Sequence, residues 1–195
     1  MTEGYIRFNC IQTLAESPSE LIIADLNTIR NYLYKMGLIG CFEDGIGFGN
    51  VSKRTDDGRF IISGSQTGGL PSLESSHYCF IDDYDIDKNI VNCSGTIKAS
   101  SETMTHAAIY TALSNINYVA HIHNKCLWTA WLNKMPSTDA NAEYGTPGMA
   151  HEVSRLCGIH SLNNPLIIVM AGHTDGIILA SETAKRILTT FAGSG

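Results

Sequence analysis

The sequence predicts an α/β protein in layers, with helices flanking a central, mostly antiparallel sheet. Two observations predict it. From Gly45 to Val91, short β-rich stretches (GIGFGNVSKR, RFIISGS, HYCFIDD) are separated by Gly, Asp and Ser turns. Around them lie segments whose apolar residues recur at helical spacing. No repeat, low-complexity segment or linker interrupts the pattern, so residues 1–195 are expected to form one domain.

Each element follows from its local chemistry. In Ser17-Pro18-Ser19-Glu20, Ser17 can cap a helix, Pro18 suits its first turn and Glu20 completes a capping box. Ile22, Leu26, Ile29, Leu33 and Met36 then form a stripe that Gly37 ends. Asp56-Asp57-Gly58 reads as a hairpin turn. KASSETMTHAAIYTALS reads as a helix capped by Ser100 or Ser101, and NYVAHIH as a strand. CLWTAWLNK and PGMAHEVSRLCG read as helices, PLIIVMAG as a buried strand and DGIILA as its hairpin partner. SETAKRILTTFAG closes the chain as a helix capped by Ser181.

The bulk properties exclude several function classes. A length of 195 residues can bury a sizeable core, and 44% hydrophobic with 16% charged residues is a soluble globular balance. A net charge of -6 with no Lys/Arg run argues against a nucleic-acid partner. A small anion held by a local pocket of amides and a few cations remains compatible. MTEGYIRFNC has no apolar signal core, and PLIIVMAG is too short to span a bilayer. The six cysteines lie far apart with no CxxC pair, which suggests reduced thiols in a cytoplasmic protein.

The residues that could carry chemistry begin with YVAHIHNK. Side chains alternate along a strand, so His121 and His123 share a face with Val119, roughly 7 Å apart at Cα. They could share a metal ion or be ordinary polar residues. His173 follows the core strand inside AGHTDG, either as a third ligand or as a loop histidine. Asp175 reads as a turn residue. Glu102 stands at the start of a helix, where the macrodipole favours any acid. It could also be a catalytic carboxylate beside a metal, with Ser100, Ser101 and the free amides of the helix start cradling an anion. GNVS (49–52) and GSQTGG (64–69) are turns that could cradle phosphate or carboxylate.

In this order the motifs GNVS, GSQTGG, KASSE with His106, HIH, Tyr144-Gly145-Thr146 and AGHTDG resemble the class II aldolase/adducin family, in particular its metal-dependent, L-fuculose-phosphate aldolase-like members. The resemblance runs from about Gly47 to Ala184. It implies a mostly antiparallel sheet flanked by helices, assembled as a homotetramer with active sites at subunit contacts. It implies that His121, His123 and His173 bind a divalent ion, usually zinc (Zn2+), with a position left open for substrate. It gives Glu102 the role of catalytic carboxylate, and Asn50, Thr67, Gly68, Ser100 and Ser101 the substrate's phosphate. The implied reaction is cleavage or formation of a carbon–carbon bond in a small, phosphorylated hydroxy-ketone sugar through a metal-stabilised enediolate.

The chain departs from the family pattern at four places. ISGSQTGG is about two residues longer than the usual turn. Thr174 and Asp175 separate His173 from the glycine that normally follows it at once. The family's proton-donor tyrosine has no direct counterpart, and Tyr144 or Asp139 are the candidates to replace it. The tail that closes over some relatives' sites is expected to be absent. Two further readings follow. One is a dehydratase, decarboxylase or 4-epimerase on the same scaffold. The other is an adducin-like assembly domain without catalysis, against which stand the retained histidines and Glu102.

Overall fold

The computed structural model describes residues 4–161 and 163–191. Its elements run β1 (Asn9–Thr13), α1 (Glu20–Lys35), β2 (Gly40–Cys41), β3 (Gly47–Phe48), β4 (Asn50–Arg54), β5 (Phe60–Ser63), β6 (Tyr78–Asp85), β7 (Ile90–Ser94), α2 (Thr103–Ala112), β8 (Tyr118–His123), α3 (Lys125–Trp131), α4 (Pro147–Ile159), β9 (Leu166–Val169), β10 (Gly176–Ser181) and α5 (Ala184–Thr189). Eight strands form one sheet in the order β1-β7-β6-β5-β4-β8-β10-β9, and β2 pairs with β3 in a separate ribbon. Every pair in the large sheet is antiparallel except β1 with β7. The expected layered fold is the one observed.

Strand alternation divides the core in two. Phe60, Ile62, Val119 and Ile178 face α2 and α4, whose Met104, Ala107, Val153 and Leu156 cover them. Val51, Ile61, Ala120, Ile122, Ile177 and Leu179 face the other way, towards Ile23, Leu26 and Leu33 of α1 and Ile187 of α5. The period of two puts neighbours such as Val119 and Ala120 into opposite cores. Asp56-Asp57-Gly58 is indeed the turn between β4 and β5, with Gly58 in the left-handed region.

The helix starts differ from expectation in instructive ways. α1 begins at Glu20 with Ser19 at the cap position. Glu20 accepts hydrogen bonds from the amide and hydroxyl of Ser75 and so makes no capping box. The buried stripe of α1 is Ile23, Leu26, Ile29, Arg30 and Leu33, while Ile22 and Met36 are exposed. α2 starts with Glu102, not a serine, at the cap, because the Ser100 carbonyl takes the Thr103 amide and hydroxyl. Ser181 ends β10 in register with Tyr118, which moves the cap of α5 to Thr183. Ala192 and Gly193 of the predicted closing helix lie outside the described residues.

Candidate functional site

Three imidazoles converge at one end of the sheet. β8 lies between β4 and β10, so hydrogen bonds on both edges fix which way its side chains point. His121 and His123 therefore emerge on the α2 side, while Ala120 and Ile122 enter the opposite core. His173 comes from the turn between β9 and β10. Its amide donates to Met170 O, the Gly176 amide donates to its carbonyl, and Asp175 adopts φ +67. Thr174 and Asp175 are thus absorbed within the turn, and His173 still reaches the cluster. Asp175 acts as the expected turn residue, its carbonyl accepting the Asn124 amide.

The ring centroids lie 4.8 Å (His121–His123), 5.0 Å (His121–His173) and 4.8 Å (His123–His173) apart. One nitrogen from each ring falls within 4.8 Å of the other two, so the group could hold a metal ion. Burial, then the neighbouring His123 and His173, push the His121 pKa well down. That keeps it neutral, the form that coordinates a metal. His121 Nε2 is buried and lacks a hydrogen-bond partner among the described residues, a deficit that a divalent ion would remove. His121 Nδ1 lies 3.4 Å from Asn50 Nδ2, its register partner on β4. Phe48 and Phe42 pack on His123 at 5.4 and 5.9 Å.

Glu102 is fully buried beside this cluster. One carboxylate oxygen accepts from Thr105 Oγ1 at 2.7 Å, and the other lies 3.5 Å from His173 Nδ1. Ser100 and Ser101 stand just ahead of the α2 N-terminus and line a polar pocket with Asn50, Thr67 and Gly68. All five residues given to phosphate at the sequence level thus share one concavity, next to a helix start whose amides favour an anion. The longer GSQTGG turn remains tight. A Cβ on Gly68 would stand 2.5 Å from both Gly40 O and Phe48 O, so only glycine fits against the β2–β3 ribbon. Gly49 holds φ +77, and a Cβ there would meet Ile39.

Tyr144 stacks on His173 with ring centroids 4.7 Å apart and planes 29° from parallel. Asp139, the other proton-donor candidate, is exposed and accepts from the amide and side chain of Asn141. His106 is fully buried, with Nδ1 2.6 Å from Ser52 Oγ, which in turn lies 2.8 Å from the Tyr110 hydroxyl.

Sequence reasoning missed two arginines. Arg30 is 1% exposed, and its Nη2 donates to the carbonyls of Thr67, Gly68 and Leu70. Because the peptide is trans, carbonyls turned towards Arg30 send the following amides of Gly68 and Gly69 the other way. An arginine inside an apolar helical stripe was the available signal. Arg7 lies over the Tyr144 ring, 4.5 Å from its centre, and nothing in the sequence announces that contact.

A profile of the class II aldolase and adducin N-terminal domain matches residues 40–181. The chain belongs to this family. Similar solved structures come from the same group. L-fuculose-1-phosphate aldolase from Thermus thermophilus is 16% identical, with 89% of this chain and 87% of that one covered at a TM-score of 0.62. A sugar-phosphate aldolase from Thermotoga maritima is 13% identical over 87% and 88%, at 0.63. YgbL from Escherichia coli, whose description leaves aldolase, epimerase and decarboxylase open, is 16% identical over 87% and 83%, at 0.60. At these identities the likeness establishes the shared fold. Among curated proteins, no sequence matches significantly. β1 and α1 precede the region that the family profile matches.

Proposed function

We propose that the protein is a metal-dependent carbon–carbon lyase, an aldolase acting on a small, phosphorylated hydroxy-ketone sugar. The observation that carries this reading is the buried group of His121, His123 and His173 with the Glu102 carboxylate against it. A divalent ion held by the three imidazoles, zinc by preference for nitrogen ligands, would supply Lewis acidity to adjacent hydroxyl and carbonyl oxygens of the substrate.

The chain's own residues account for the rest. Glu102 is placed to take or return the substrate proton as general base, and Thr105 fixes its orientation. Asn50, Thr67, Gly68, Ser100 and Ser101 hold the phosphate at the α2 N-terminus. Tyr144, beside His173, is the candidate to protonate the aldehyde oxygen as the carbon–carbon bond forms and to take that proton back on cleavage. The buried walls exclude water from the charge that develops.

No helix among the described residues is long and apolar enough to cross a membrane. We place the enzyme in the cytoplasm and read its working form as a homotetramer. A dehydratase, decarboxylase or 4-epimerase would use the same metal and base. The E. coli YgbL description keeps that alternative in view. The assembled histidines and Glu102 favour catalysis over an adducin-like assembly role.

The deciding experiment is elemental analysis of purified protein beside a His121→Ala/His123→Ala variant. About one zinc or similar ion per chain, lost in the variant, is expected, followed by cleavage of a phosphorylated hydroxy-ketone. A native protein that takes no metal even on reconstitution would end the lyase reading.

A further inference from the structure

The segment from Gly4 to Phe8 runs across the site, ahead of the region that the family profile matches. Its inner end is fixed. Phe8 is buried in the core under α2 and α4, and β1 follows at once, paired with β7. Asn89 Nδ2 donates to the Arg7 carbonyl at 2.9 Å. Its outer end meets the anion pocket. Gln66 Nε2 donates to the Gly4 carbonyl at 3.2 Å, and Gly4 stands in the pocket wall with Asn50, Thr67, Ser100 and Ser101. Between these points the Arg7 guanidinium lies 4.5 Å from the centre of the Tyr144 ring, and its Nη1 pairs with Glu143. The same Tyr144 ring stacks on His173 at 4.7 Å.

We infer that Gly4–Phe8 is the outer wall of the active site and that Arg7 is a positioning residue, holding the Tyr144 ring against His173. The physical need is specific to His173. His121 and His123 sit on a strand paired along both edges, whereas His173 comes from a turn and has more freedom to swing. A planar guanidinium over Tyr144 and Tyr144 over His173 make a stack that restricts the imidazole. Groups that orient a ligand from behind typically change metal affinity 10- to 100-fold when lost. This inference rests on the proposed metal site for its consequence, but the stack itself can be tested without metal.

The experiment compares the full chain with Arg7→Ala, Arg7→Lys and Glu143→Ala. The first readout is the ring 1H–13C signal of His173 in metal-free protein, with exposed His151 as internal control. The second is zinc affinity by competition with a chromophoric chelator. Arg7→Ala and Arg7→Lys are both expected to move the His173 signal and weaken zinc about 10-fold, because lysine keeps the charge but not the planar group. Glu143→Ala removes the ion pair alone and is expected to leave both readouts near native.

An unmoved His173 signal in Arg7→Ala would overturn the inference. So would a Glu143→Ala protein that behaves like Arg7→Ala, since the ion pair rather than the stack would then be the agent. If Arg7→Ala fails to fold, Arg7→Lys decides alone. A native protein that refuses zinc would sink the proposed function, yet the His173 signal would still judge the role of Arg7.

Discussion

Glu102 divides its two oxygens between Thr105 and His173, which leaves its carboxylate oriented and dry. As the proposed general base, its amide replacement should remove proton transfer while keeping shape. Glu102→Gln is expected to lower kcat about 1,000-fold while zinc per chain stays near one, because the three imidazoles remain. Loss of metal alongside activity would recast Glu102 as a ligand. His106 carries a second consequence at this scale. Burial depresses its pKa to about 3, below the ~6.5 of an unfolded histidine. The unfolded chain therefore binds the extra proton between those values. The associated stability is complete above pH 6.5 and is lost as pH falls from there towards 3, by about 1.4 kcal/mol per pH unit. Urea unfolding of metal-free protein between pH 7 and 4 should be steeper in pH than for His106→Gln by that amount. Equal slopes would mean that the folded protein accepts the proton. Strand alternation put His121 and His123 on one face, but only the ordered motifs of the family resemblance joined His173 to them as a ligand set. The Ser52–His106–Tyr110 network was not legible, since His106 at one helical turn past Glu102 fits plain packing equally well.

The turn of residues 64–70 shows how one helix shapes a loop of another part of the fold. Arg30 of α1 gathers three carbonyls from it, and burial already lowers the Arg30 pKa. Arg30→Met keeps much of the stem and removes the donors, leaving those carbonyls without their partner. A loss of about 3 kcal/mol in urea unfolding is expected, with inorganic phosphate binding at least 10-fold weaker by calorimetry. Unchanged phosphate affinity would detach Arg30 from the pocket and leave it a purely structural clasp. The periodicity of α1 located the helix and its buried Leu26, Ile29 and Leu33, but took Ile22 for Ile23 and added Met36. Ile22 and Ile23 both fit a 3.6-residue period, and only packing against Val51, Ile61 and Leu179 selects Ile23. Helix starts slipped for a related reason. Several Ser, Thr and Glu residues compete at each start, and tertiary partners such as Ser75 decide among them.

Most of the sheet was readable because its strands are short, alternating and separated by turn residues. β1 was not, since it pairs in parallel with a strand some eighty residues later and carries no hairpin signal. Assembly belongs to this scale. Leu14 and Leu21 are 82% and 88% exposed, and Tyr5 and Ile159 are also largely uncovered. A homotetramer that buries part of this surface is expected, and light scattering at tens of micromolar should return the mass of four chains. A single-chain mass would remove the premise that active sites lie at subunit contacts.

The position of Gly4 has a practical side. Gly4 stands in the wall of the pocket that should receive the phosphate and holds φ +78, so a side chain placed there would strain the backbone and press on Gln66 and Ile46. Gly4→Ala is therefore a way to narrow the mouth of that pocket without touching the imidazoles or Glu102.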